Sequence, residues 1–123
     1  MRNAIFRGAP AFLLVISISI AIYAYWPSAG IRVCEIESGQ DYPGIVPDGS
    51  GGAIITWMDQ RNGDLDIYAQ RVDAGGTPRW RTMGEPVCTT AVAAWYPRIT
   101  TDGSGGAIIS WKDGRDGSDY DIY

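Results

Sequence analysis

The sequence contains no histidine. That removes the commonest general base, the imidazole of any Ser-His-Asp triad and the commonest zinc ligand. Two cysteines are present, Cys34 and Cys88, and two thiols alone do not make a structural zinc site. No G-x-x-x-x-G-K-[ST] run occurs, so that phosphate-cradling loop is excluded. Beyond residue 30 no segment carries a 3.6-residue apolar period, which excludes a helical solenoid. Positive charge is also scarce. Past residue 30, eight Arg and Lys stand against 14 Asp and Glu, a balance of −6. Such a balance repels phosphate backbones, so nucleic acid is not an expected partner. The acids are spread along the chain, which makes a solvated surface and not an acidic tail.

The first 30 residues differ from the rest. Arg2 and Arg7 precede an uncharged apolar run from Ala9 to Pro27, and Ser28-Ala29-Gly30 follows. A basic start, an apolar stretch and small residues make a secretory signal peptide. The run also approaches the roughly 20 apolar residues that span a bilayer. Tyr23, Tyr25 and Trp26 sit at its outer end, where aromatics favour the interface. Two main outcomes follow, a cleaved signal or a retained anchor, with a buried helix as the remaining alternative, and all predict one apolar helix near residues 9–26. The signal and the anchor both place residues 31 onward outside the cytoplasm, either secreted, periplasmic or on the cell surface. Membrane contact is then confined to residues 9–27 of an uncleaved chain. Val33 is not the small residue that lipoprotein processing prefers before a cysteine such as Cys34.

The remainder is written twice. Tyr42 to Asp59 reads YPGIVPDGSGGAIITWMD, and Tyr96 to Asp113 reads YPRITTDGSGGAIISWKD. The copies lie 54 residues apart and agree at 13 of 18 positions. A fixed period of this size predicts a repeat architecture. Punctuation divides the unit. Pro43 to Pro47 is a short extended run, and Asp48-Gly49-Ser50-Gly51-Gly52 is a turn. Ala53 to Trp57 is short, apolar and β-branched, which predicts a strand buried on both faces. A turn over 59–64, an alternating strand from Asp66 to Asp73 and a turn at 74–77 follow. A fourth strand is expected from Pro78 to Arg81, with Gly84-Glu85-Pro86 ending it.

Four strands joined by tight turns make one antiparallel meander. Its apolar middle strand needs cover on both faces. Sheets stacked around an axis supply that cover, so an all-β fold of two four-stranded β-propeller-type blades is expected. An open sandwich of two such sheets is the alternative. The expected division is 1–30 leader, 31–87 first blade, 88–123 second and incomplete blade. Tyr123 falls inside the strand that Asp66-Ile67-Tyr68 begins in the first copy. That predicts either a truncated product of a longer frame or several chains closing one ring. Cys34 and Cys88 are also 54 apart, at equivalent positions. Such positions are usually too distant for the roughly 4.4–6.8 Å between Cα atoms that a disulfide needs, so both are expected unbridged.

Pro47-Asp48-Gly49, an apolar strand, then Asp59-Gln60-Arg61-Asn62-Gly63-Asp64-Leu65-Asp66-Ile67-Tyr68 resembles the TolB-like propeller repeat. The second copy keeps Asp113, Arg115, Gly117 and Asp121-Ile122-Tyr123, with one extra loop residue. It has Thr101 where the pattern has proline. The unit is longer than the usual TolB-like blade, so a separate family of secreted bacterial propeller repeats fits equally. The resemblance implies an extracytoplasmic blade and brings no catalytic residue.

Candidate chemistry is sparse. Asp59, Asn62, Asp64 and Asp66 cluster in one turn, and Asp113, Asp116, Asp119 and Asp121 in the other. Oxygen ligands at this density suit Ca²⁺, the one cofactor considered, yet the spacing is not that of an EF-hand. The competing expectation is a hairpin whose acids cap backbone N–H groups and pair with Arg61 or Arg115. Ser50 and Ser104 sit among glycines, but Asp48 stands where a nucleophile elbow has its first glycine. Asp48 to Trp57 is also too long for the sialidase Asp-box. No acid pair stands out as the two carboxylates of a glycosidase. Trp57 and Trp111 are equivalent and expected in the core. Trp80 and Trp95 have no visible counterpart, and Trp95 is the expected aromatic platform for a carbohydrate or protein ligand. The functional expectation is an exported propeller module that binds or scaffolds, with no catalytic residue of its own. The alternatives are the non-catalytic part of a sialidase-like or other propeller glycoside hydrolase, and a structural repeat array of a cell-surface protein.

Overall fold

The computed structural model describes residues 26–117 and 119–123. The helix expected near 9–26 lies, but for Trp26, outside the described residues. Seven strands follow: β1 Gln40–Pro47, β2 Ala53–Asp59, β3 Asp66–Val72, β4 Glu85–Cys88, β5 Ala94–Thr101, β6 Ala107–Asp113 and β7 Asp121–Ile122. They form two antiparallel sheets, β1-β2-β3-β4 and β5-β6-β7. No helix occurs among the described residues, and none there is long and apolar enough to cross a membrane.

The duplicated sequence folds with duplicated pairing. Gln40 pairs with Asp59 and Pro47 with Ala53; Ala94 pairs with Asp113 and Thr101 with Ala107. Each outer strand carries one irregularity, between Asp41 and Gly44 and between Trp95 and Arg98. Tyr42 (φ 52°) and Tyr96 (φ 56°) take up those irregularities in the left-handed region, which is rare for residues bearing a Cβ. Their rings meet edge-on across the sheets, 4.9 Å between centroids.

This arrangement corrects the propeller expectation. Both sheets are open, one of four strands and one of three, and they stack on a single face. A propeller sets several sheets around a central channel, and two sheets meeting face to face define no such axis. The blade architecture, the propeller-repeat module built on it and its hydrolase and cell-surface-array variants are therefore all set aside. The physical reason is that a duplicated meander specifies a sheet and a covered face, but not how many sheets meet.

The fourth strand also differs from expectation. Extension after β3 lasts only through the bridge from Pro78 to Val72 and the Arg79 N–H to Arg71 carbonyl bond (2.8 Å). Trp80 N–H then takes the buried Gln70 side-chain oxygen instead of a strand partner (2.8 Å). Met83 (φ 66°) and Gly84 (φ 99°) reverse the chain. A Cβ on Gly84 would lie 2.6 Å from the Trp57 ring, so only glycine passes there. Glu85–Cys88 then pairs with β3, and Pro86 sits on the outermost strand, where its missing N–H costs no ladder bond.

The core lies between the sheets. Met58, Ile67, Cys88 and Ala94 are buried together, with Ile109 and Trp111 packed against them. One face of the first sheet thus rests on the opposite face of the second. Gly44 makes the approach possible, since a Cβ there would lie 2.9 Å from Ile99 Cγ2. Among the described residues, nothing covers the outward face of the second sheet in the same way. Ile54 is 0% exposed and its counterpart Ile108 60%; Ile67 is 0% exposed and its counterpart Ile122 75%. The central strand is therefore covered on both faces only in the first sheet.

Candidate functional site

The most developed polar constellation occurs once on each sheet. At the end of β2, Asp59 is fully buried. It accepts hydrogen bonds from Trp57 Nε1 (2.9 Å), from the Arg61 backbone N–H (2.9 Å) and from Arg61 Nε (2.9 Å). The Arg61 guanidinium lies over the Tyr68 ring, 3.6 Å from its centroid, and Tyr68 stacks on Trp57. At the end of β6, Asp113 accepts from Trp111 Nε1 (2.9 Å), the Arg115 N–H (3.2 Å) and Arg115 Nε (2.9 Å). Arg115 lies over Tyr123 at 3.7 Å, and Tyr123 stacks on Trp111. The spacing explains the assembly. Trp and Asp two apart on a strand share a face, and the turn beyond Asp brings the arginine back onto it.

Electrostatics match this geometry. Burial pushes the Asp59 carboxyl upward, but hydrogen bonds from Arg61 and Trp57 outweigh it and hold it below the ordinary range. Hydrogen bonds from Arg115 hold Asp113 down at about 2. Both acids stay ionised and fully engaged, so neither has a lone pair free for acid-base work. Asp66 goes the other way. Burial raises its carboxyl above the ordinary range, against a hydrogen bond from Asn62 (2.6 Å). No buried side-chain polar atom is left unpartnered among the described residues.

Each clamp also touches a cysteine. Arg115 Nη2 lies 3.5 Å from Cys88 Sγ, which reaches it from β4 of the other sheet. Arg61 Nη2 lies 3.5 Å from Cys34 Sγ, which reaches it from the segment before β1. Both thiols are free, and burial raises the Cys34 thiol above its ordinary value. Each clamp therefore fastens a neighbouring segment to a sheet: β4 at Arg115, and the irregular stretch before β1 at Arg61. The 54-residue period pairs the two cysteines and predicts both unbridged, as they are. It does not reveal their arginine partners, because 27 residues separate each thiol from its guanidinium.

The remaining candidates fall as follows. Asn62 donates to Asp66 and lies 3.2 Å from the Tyr68 hydroxyl, while Asp64 is exposed. Asp116 accepts from the Tyr123 hydroxyl at 2.8 Å and pushes that phenol up to about 12. Asp119 and Asp121 are exposed. The eight oxygen-bearing residues are thus divided among clamp, turn and solvent. Among the described residues no group of three or more His, Cys, Asp or Glu side chains converges on one point. Asp48 accepts from the Ser50 and Gly52 N–H groups, both at 2.8 Å, and Asp102 from those of Ser104 (2.7 Å) and Gly106 (2.9 Å). These bonds place Ser50 and Ser104 in turns closed on aspartate. Arg71 Nε adds a bond to Asp48 (2.9 Å) that the sequence pattern did not signal.

Trp95 stands half-buried in a cleft of about 260 Å³ with Tyr96, Lys112 and Tyr120. Its ring meets Tyr120 edge-on at 5.2 Å, and Lys112 Nζ lies 4.1 Å from the Tyr120 centroid. Trp80 is exposed.

No protein-family model, no characterised protein and no solved structure matches this chain. The likeness to the TolB-like repeat is therefore confined to the motif residues quoted above and carries no membership of that family.

Proposed function

We propose that the chain is an extracytoplasmic, non-catalytic module that assembles by stacking β-sheets. The observation that carries this reading is the pair of clamps. Each buries an ionised aspartate whose oxygens are all engaged, and the second fastens β4 of one sheet to the other. A group poised for catalysis has a perturbed pKa near its working pH; Asp113, at about 2, is set for permanent charge. Export is supported by the basic, apolar and small-residue succession over residues 2–30. Assembly is supported by the outward face of the second sheet, where Ile108 and Ile122 are uncovered among the described residues. Covering a side chain such as Ile108 or Ile122 yields about 1.5–3 kcal/mol. Sedimentation of the full chain in non-ionic detergent over a hundredfold concentration range tests the proposal. Concentration-dependent association is expected, and a monomer throughout would refute it.

A second reading rests on Trp95. The cleft it shares with Tyr120 and Lys112 offers an aromatic platform beside a cation, the surface chemistry that suits a sugar or an acidic peptide. Tryptophan fluorescence during titration with oligosaccharides tests it, with Trp95→Ala as control. A response that survives in that variant would exclude Trp95.

A further inference from the structure

Ile55 and Trp57 lie on the opposite face of β2 from Met58, which enters the core between the sheets. On that outward face of the first sheet, beside the irregular segment before β1, is a cavity of about 290 Å³. Val33, Cys34, Ile55 and Trp57 line it. Their counterparts 54 residues on are Val87, Cys88, Ile109 and Trp111. Each of those belongs to the core cluster or packs against it. The cavity wall is thus the wall of the internal joint, built a second time. Within the joint, Met58 and Ile67 of the first sheet meet that wall. On the first sheet the same wall borders the cavity.

The copies differ at the mouth. Where the joint has Ala94 and Trp95, the cavity has Gln40 and Asp41. The Gln40 amide nitrogen donates to the Ser38 carbonyl, which leaves its oxygen to accept. An adjoining cavity shares Cys34 and Gln40 and is lined also by Arg32, Glu35 and Glu37. Arg32 pairs with Glu35. Arg61, beside Cys34, pairs with Asp59. Asp41 and Glu37 therefore give the mouth a negative balance.

We propose that this cavity is a docking site for a lysine side chain carried on an extended segment of a partner protein. The joint shows that the wall accepts an unbranched side chain from a neighbouring strand, since Met58 is one. Lysine repeats the unbranched stem of methionine and adds an ammonium. The stem lies against Ile55 and Trp57 while the ammonium stays at the polar mouth, the division that long cationic side chains favour. Gln40 and Asp41 receive it there, Asp41 through a charge-assisted hydrogen bond. An acidic side chain would meet like charge at the same place. The volume lies at the lower end of the roughly 300–1,000 Å³ of ligand sites, which suits one side chain and not a larger ligand. The site is on the first sheet, so it goes beyond the stacking proposed above and does not require it.

The test uses the full chain in a non-ionic steroid-based detergent, whose rigid body is too broad for the cavity. The probe is a short capped peptide with lysine at its centre and threonines on either side. The Trp57 indole N–H resonance is expected to shift saturably as it binds. Alkylation of Cys34 by iodoacetamide is expected to slow roughly fivefold or more at saturation. With norleucine at its centre the peptide is expected to bind roughly tenfold more weakly, and with glutamate not at all. Asp41→Asn is expected to bring the lysine peptide down to the affinity of the norleucine one and to leave the latter unchanged. If the lysine and norleucine peptides bind alike, or Asp41→Asn changes neither, the lysine assignment is overturned. If the lysine peptide neither moves the Trp57 indole nor protects Cys34, the site itself is overturned. Binding that emerges only in Lys112→Met would show a second copy holding the cavity and would overturn a separate partner. A chain that is monomeric by sedimentation yet binds the lysine peptide refutes stacking and supports this site, so the two proposals fail separately.

Discussion

The indole N–H of Trp111 donates to Asp113 Oδ2 at 2.9 Å, two residues along the same strand. The same bond joins Trp57 to Asp59 at the same length. A strand thus uses its own aromatic residue to donate a hydrogen bond to one oxygen of a buried carboxylate, and the turn arginine balances its charge. Loss of the indole donor leaves a desolvated carboxylate oxygen, at about 1–3 kcal/mol. Trp57→Phe is expected to fall in this range by urea denaturation. Trp111→Phe is expected to cost less, because Trp111 is only half-buried and water can replace its N–H.

Acid is expected to loosen the stack in a defined window. Asp113 has its carboxyl depressed to about 2 by Arg115, and Asp59 is depressed as well. A depressed acid contributes stability that is present above its unfolded value, about 3.9. That contribution is lost as pH falls toward the folded value. Asp66, raised by burial, has the opposite sign and favours the fold more at low pH than at neutral pH. Circular dichroism melts should therefore weaken between about pH 4 and pH 2. Asp113→Asn should be less stable at pH 7 and flatter across that window.

Equal residues at equal positions should not cost the same. Ile54→Ala removes a fully buried side chain, and about 2–5 kcal/mol is expected. Ile108→Ala removes one that is 60% exposed, and a change within about 0.5 kcal/mol is expected in the unassociated chain. Urea midpoints at low protein concentration check the contrast.

Gly44 has no positive φ, so its requirement is one of space alone. Gly44→Ala places a Cβ 2.9 Å from Ile99 Cγ2, and overpacking of this kind costs about 1–3 kcal/mol. Ile99→Val in the same chain is expected to restore part of the loss. The coupling between the two substitutions, measured as a double-mutant cycle, reports the approach of the sheets directly.

The strands built on turn chemistry and β-branched runs were legible in the sequence. Ala53 to Trp57 and Asp66 to Asp73 announce themselves by composition, and the structure has β2 at Ala53–Asp59 and β3 at Asp66–Val72. Glu85–Cys88 was not legible. Its pairing depends on a reversal at Met83 and Gly84 that Trp57 dictates from a distant strand. The number of sheets was not legible either. Local pattern says that Ile54 and Ile108 belong on identical strands, but only tertiary placement decides that one is buried and the other bare. At the clamps, the Asp-to-Arg pairing could be anticipated from two-residue spacing, whereas the thiol contacts could not.

Tyr42 and Tyr96 hold left-handed backbones and touch ring to ring at 4.9 Å. Such a backbone persists only where its surroundings over-determine it. Because the two residues hold the same position in their respective strands, their rings meet only when the sheets are in step. Sliding one sheet past the other by a single residue, about 3.3 Å, would part the rings, leaving two unsupported conformations. The tyrosine pair is thus a key cut into both halves of the joint: it admits one alignment and penalises its nearest neighbours.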